Sequence, residues 1–83
     1  MGEMHDQLIS AIEDWNPVLQ GAVDRQTPLI TSARLDSLGL FRLLMWIEQR
    51  IGRSIDVSAI DMVGTWNDVD AIVRFVERER GRR

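Results

Sequence analysis

A serine stands at position 37, after an aspartate and before a leucine, in the run Leu35-Asp36-Ser37-Leu38. A serine hydroxyl takes part in chemistry in two general ways. It attacks a substrate when a base removes its proton, or it receives a group delivered by another enzyme. The first way needs a base. The chain has one histidine, His5, and no Gly-x-Ser-x-Gly elbow, which argues against a small hydrolase. A lone histidine near a terminus reads as a surface residue, because a metal site needs several ligands. There is no cysteine, hence no disulfide framework and no thiolate metal site. Asp and Ser both cap helices well, so the local sequence by itself favours plain helix capping for Asp36-Ser37.

The elements that would position this serine follow from apolar spacing. Met4, Leu8, Ile12 and Trp15 form one stripe, which predicts a helix over about 4–15 that ends at Asn16-Pro17. Residues 17–35 read as a long loop, with a short helical turn expected near 18–23. Val18, Leu19, Leu29 and Ile30 are its expected anchors. Long loops in small domains usually serve function. A helix over 37–51 carries Leu40, Leu43, Leu44, Ile47 and Ile51 on one face, with Leu38, Phe41 and Met45 on the next stripe. So wide an apolar surface suits a central helix or one that meets a partner. Gly52 suits the position after its end. A short helix over about 58–63 is expected with Ser58 as its cap and Gly64 as its stop. Thr65 and Asp68 read as a capping box for a last helix over 66–80, with Val69, Ile72, Val73 and Val76 inward. The expected fold class is all-α: three longer helices, one short third helix and no sheet.

Composition excludes several functions. The 83 residues suit one domain with a modest core. Apolar residues make up 45%, too many for a disordered chain. No apolar run is long enough to span a bilayer and no signal peptide is visible, so the expectation is a cytoplasmic protein without a membrane role. Residues 1–73 hold eleven acids against five arginines, a balance of −6; residues 74–83 hold five arginines against two glutamates, a balance of +3. The acidic body argues against nucleic acid as a partner. Arg74, Arg78, Arg80, Arg82 and Arg83 read as a solvated tail suited to a helix C-terminus, with Glu79 and Arg83 at ion-pair spacing.

Taken together, these residues resemble the acyl and peptidyl carrier protein family over about residues 4–80. Asp-Ser-Leu opens the second helix. Leu38, Phe41, Leu43, Leu44, Met45, Ile47, Glu48, Ile51 and Gly52 stand at matching offsets from Ser37. Leu29 matches the loop anchor, Ile55-Asp56-Val57 the segment before the short third helix, and Thr65-Trp66-Asn67-Asp68-Val69 the start of the fourth. The tripeptide alone is a weak signal; the tripeptide with this register and these loop lengths is a strong one.

The resemblance implies a four-helix bundle of carrier type and a single domain over 1–83. It implies that Ser37 bears 4'-phosphopantetheine taken from coenzyme A by a phosphopantetheinyl transferase. The arm's thiol would explain how a thioester carrier lacks cysteine. Such a chain is not itself an enzyme but is acted on by acyl-loading and acyl-transferring enzymes, here as an expected free-standing monomer. The cargo classes are fatty acyl, polyketide and amino acid. The chain departs from the family pattern at three places. Arg34 stands where many carriers have Gly, and Gly39 and Arg42 stand in neighbourhoods usually acidic. Asp36 and Glu48 against Arg42 and Arg50 leave the second helix neutral, which suggests a dedicated partner set. Asp36, Leu38, Arg42 and Met45 are the candidate recognition residues, Leu38 and Met45 as apolar contacts and Arg42 as a selectivity element. Phe41 and Trp46 are large enough to fill the space a long acyl chain would take, which suggests a short, polar or external cargo. Trp66 is expected half exposed and Trp15 in the core. The alternative function is an unmodified helical interaction module with a carrier-like fold.

Overall fold

The computed structural model describes residues 2–81. Among them every regular element is helical. Helix α1 spans Glu3–Trp15 and is followed by a 3-10 turn at Pro17–Leu19. Helix α2 spans Ser37–Ile51, a second 3-10 turn spans Val57–Ala59, α3 spans Met62–Trp66, and α4 spans Val69–Arg80. Helix α4 packs against all three others, and α1 also meets α2.

The stripes read from spacing form the core. Leu8 and Ile12 of α1, Leu43 and Ile47 of α2, and Val69, Ile72, Val73 and Val76 of α4 are buried together. Leu19, Val23, Leu29 and Leu35 add the loop's apolar side chains to the same cluster. Burying such a side chain contributes roughly 1.5–3 kcal/mol, so these four help offset the entropy of ordering a long loop.

The loop is also held by backbone hydrogen bonds that converge on one residue. The Asn67 side-chain oxygen accepts from the Ile30 and Thr31 N–H groups, each at 3.0 Å. The Leu29 N–H donates to the Asn67 carbonyl at 2.6 Å, and the Asp70 N–H to the Arg25 carbonyl at 3.0 Å. Asn67 lies between α3 and α4, so the loop is tied to the helix junction across the fold. Asp24 and Asp56 close smaller turns of their own. The Gln26 N–H and Thr27 hydroxyl hold the Asp24 carboxyl below the usual carboxylate range, and the Ser58 hydroxyl and N–H do the same for Asp56.

Several sequence expectations are corrected. The third helix lies at Met62–Trp66, not 58–63; Ser58 does not cap it, and Gly64 sits inside it. The fourth helix begins at Val69, not Trp66, and Thr65 and Asp68 form no capping box. The reason is the same in each case. Aspartates take the caps: Asp61 accepts from the Gly64 N–H at 3.2 Å and Asp68 from the Ala71 N–H at 2.7 Å. Asp caps at least as well as Ser or Thr. Val18 is 87% exposed and anchors nothing, whereas Leu19 beside it is buried. Trp66 is fully buried, edge-on to Phe75 with ring centroids 5.5 Å apart. Trp15 is only partly buried against the core. His5 is not a free surface residue: its Nε2 lies 3.0 Å from Asp70 Oδ1, joining the start of α1 to the start of α4. Glu79 pairs with Arg53 and lies 3.6 Å from Arg78; the expected partner Arg83, and Arg82, lie outside the described residues. No described helix is long and apolar enough to cross a membrane.

Removing the Asn67 side chain strands the Ile30 and Thr31 N–H groups. Asn67→Ala is therefore expected to lower unfolding free energy by about 1–3 kcal/mol in a urea titration. A change within about 0.5 kcal/mol would show that the loop is held by its apolar anchors alone.

Candidate functional site

The long loop ends where α2 begins. The Leu35 N–H donates to the Leu29 carbonyl at 3.1 Å, which closes the last loop turn and sends Leu35 into the core. Asp36 follows with extended backbone, φ −83° and ψ −172°. Its Oδ1 accepts from the Gly39 N–H at 2.8 Å, while its carbonyl accepts from the Leu40 N–H at 2.8 Å. The N-cap of α2 is thus Asp36, not Ser37.

That assignment frees the serine. Ser37 is the first residue of the helix and is exposed, and among the described residues no hydrogen bond engages its hydroxyl. It is the only hydroxyl in the α2 sequence. The sole histidine is committed to Asp70, and Asp36 is committed to the cap. The described residues include no group of three or more metal-ligating side chains. Among the described residues, then, neither the histidine nor Asp36 is free to act as a base for Ser37.

Gly39 has a packing reason. A Cβ there would sit 3.2 Å from Leu35 Cδ2 and 3.4 Å from Asp36 Oδ1, so a side chain would crowd both the buried leucine and the cap. Arg34, Gly39 and Arg42 are the three departures from the carrier pattern. All three line a single cleft of about 240 Å³ beside the start of α2, with Trp15 and Leu38.

The outward face of α2 is apolar and carries one free cation. Leu38 is 57%, Phe41 59% and Met45 43% exposed. Phe41 therefore does not fill the core, contrary to the expectation from its size, whereas Trp46 is buried. The other charges of α2 are engaged. Glu48 accepts from the Ile55 N–H at 2.8 Å. Arg50 lies over the Trp46 ring at 4.5 Å and donates to Gln7 at 3.4 Å. Arg42 is exposed and has no carboxylate partner among the described residues. Asp36, Ser37, Leu38, Arg42 and Met45 are thus brought together on one end and one face of α2. Sequence reasoning did not single out Asn67, which ties the loop, or Trp15 as a wall of the cleft. The asparagine is one residue before an aspartate cap, and nothing in its neighbours signals a contact 36 residues away.

A small helical bundle that presents an unengaged serine at a helix start after a long tethered loop has the form of a carrier domain. A family model described as the phosphopantetheine attachment site matches residues 6–76 of the chain, and the chain belongs to that family. No curated protein and no solved structure matches it. Members of this family carry covalently attached 4'-phosphopantetheine. They are generally non-catalytic carriers that meet phosphopantetheinyl transferases and acyl-handling enzymes. The residues at the start of α2 fit such a group: an exposed hydroxyl without a competing hydrogen bond, and two guanidinium side chains in the adjoining cleft to meet a phosphodiester.

The division of labour between Asp36 and Ser37 has a stability signature. Asp36→Ala is expected to cost about 0.5–2 kcal/mol through loss of the cap. Ser37→Ala is expected to stay within about 0.5 kcal/mol of the parent, since its hydroxyl bonds to nothing. Paired thermal and urea melts check both; a larger loss at Ser37 than at Asp36 would reverse the assignment.

Proposed function

We propose that Ser37 is the residue that bears the 4'-phosphopantetheine arm, and that the protein carries acyl or related cargo as a thioester in a specialised pathway. The observation that carries this reading is the Ser37 hydroxyl itself: exposed, unbonded and freed from capping by Asp36. In the loading step Ser37 Oγ attacks the phosphorus that joins the pantetheine arm to the nucleotide in coenzyme A. An O–P bond forms, the phosphoanhydride bond breaks, and adenosine 3',5'-bisphosphate leaves. The transferase supplies the base that takes the hydroxyl proton, since among the described residues His5 is paired with Asp70 and Asp36 caps α2. When bound, the arm supplies the thiol that this cysteine-free chain lacks. Positive ends of peptide dipoles at the start of α2 suit the added negative charge.

Partner recognition falls to Asp36, Leu38, Arg42 and Met45. Leu38 and Met45 offer exposed apolar contacts next to the serine. Arg42 is the unpaired charge of this face, so it favours partners that present a carboxylate and discourages those that present only basic groups. Fatty acyl, polyketide and aminoacyl cargoes all fit this chemistry. The exposed Phe41 and the buried Trp46 favour a short or external cargo.

The test of the attachment is intact mass after incubation with coenzyme A, magnesium and a broad-specificity phosphopantetheinyl transferase. The expected result is a gain of one phosphopantetheinyl group, absent in Ser37→Ala. No gain by folded protein, with a cognate transferase also tried, would favour an unmodified helical interaction module. The recognition face is tested separately. Arg42→Glu is expected to change kcat/KM of an acyl-loading partner by about tenfold or more, a difference of roughly 1.4 kcal/mol. Unchanged turnover with every partner would remove Arg42 from recognition.

A further inference from the structure

Two depressions adjoin on the outer face of the bundle between α1 and α2. The first is the cleft of about 240 Å³ at the start of α2, lined by Arg34, Arg42, Trp15, Leu38, Gly39 and Asp36, the residues on either side of Ser37 among them. The second, about 320 Å³, shares Trp15 and Arg42 and continues past Phe41, Met45 and Trp46. Together they make a track with two arginines and the capping Asp36 at its start and mostly apolar side chains farther along α2.

We propose that the chain's own 4'-phosphopantetheine arm lies along this α1–α2 track, its phosphodiester between Arg34 and Arg42 and its pantetheine end on Phe41 and Met45. This rests on the reading that Ser37 bears the arm. Four observations carry it. Arg42 has no carboxylate partner among the described residues, and Arg34 makes only a contact with the Pro28 carbonyl at 3.5 Å, the edge of hydrogen-bond range. Two guanidiniums are thus left for one phosphodiester, the anion they match best. Helical side chains lean toward the N-terminus, so Arg42 reaches back over the turn that holds Leu38 and Gly39. Farther along, Phe41 and Met45 are exposed apolar surface that a partner cannot cover between encounters. The arm is tethered at one end, so docking is intramolecular and weak contacts suffice.

The experiment compares unmodified and transferase-modified protein by NMR, with intact mass recorded on the same samples. On modification, the Trp15 indole N–H, the Arg34 and Arg42 Nε–H groups and the Met45 methyl are expected to shift. Cross-relaxation is expected between the arm's geminal methyl groups and Trp15. Arg34→Gln/Arg42→Gln, incubated with transferase until intact mass shows full modification, should lack these contacts. Should that variant fold poorly, raising salt to about 1 M on the parent protein should weaken them instead, since charges are then screened beyond about 3 Å. A mass gain with shifts confined to residues 36–40, and an arm as mobile as free coenzyme A, would overturn the docking while leaving the attachment intact. No mass gain would overturn both.

Discussion

The Asn67 side-chain oxygen accepts two consecutive backbone N–H groups from a loop 36 and 37 residues earlier in the chain. Much else hangs on that carboxamide. A loop of this length has no internal ladder to satisfy its backbone, and exposed backbone alone would leave it mobile. Tied at Ile30 and Thr31, it delivers Leu29 and Leu35 to the core and closes the turn through the Leu35 N–H. Leu35 in turn fixes where Asp36 begins α2, and Asp36 takes the cap that would otherwise compete for the Ser37 hydroxyl. The start of α2 is thus linked, through the loop, to a contact between α3 and α4.

The surface around the serine has a charge pattern set by which side chains are already engaged. The segment from Asp36 to Ile51 is neutral by count, but a count does not say which charges are free. Asp36 serves as a cap, Glu48 holds the Ile55 backbone and Arg50 stacks on Trp46. Arg42 is what remains. The segment thus presents an apolar face with an exposed arginine on a chain whose net charge is −3. On the proposed reading, such a face would discriminate by repelling basic partners as much as by attracting acidic ones.

The parts of the fold that were legible in the sequence are those with a local cause. The stripes of α1, α2 and α4 follow from helical periodicity. The start of α2 at Ser37 and its end at Gly52, whose φ is 79°, follow from capping chemistry. The candidate site was proposed from the same local signal, Asp36-Ser37 with an apolar register behind it, and the structure places both at the start of α2. The short third helix was misplaced because Ser58 and Thr65 were read as caps where Asp61 and Asp68 do that work, and all three residue types cap helices. Phe41 was misplaced because a stripe of large apolar residues does not by itself say which members meet the core. Trp66 was misplaced because a helix-end position tells nothing of what packs over it; Phe75 does. The Asn67 tie, the His5–Asp70 pair and the cleft between Arg34 and Arg42 are tertiary contacts with no periodic or local trace.

The central claim is that one particular hydroxyl, Ser37, holds the arm. Cleavage after Arg34 and Arg42 isolates the segment Leu35–Arg42, in which Ser37 is the only hydroxyl. Tryptic digestion of the modified protein with tandem mass spectrometry therefore tests the claim without any substitution. The phosphopantetheinyl mass is expected on Leu35–Arg42. Finding that segment unmodified, with the mass on Gln26–Arg34 and its Thr27, Thr31 and Ser32, would contradict the account.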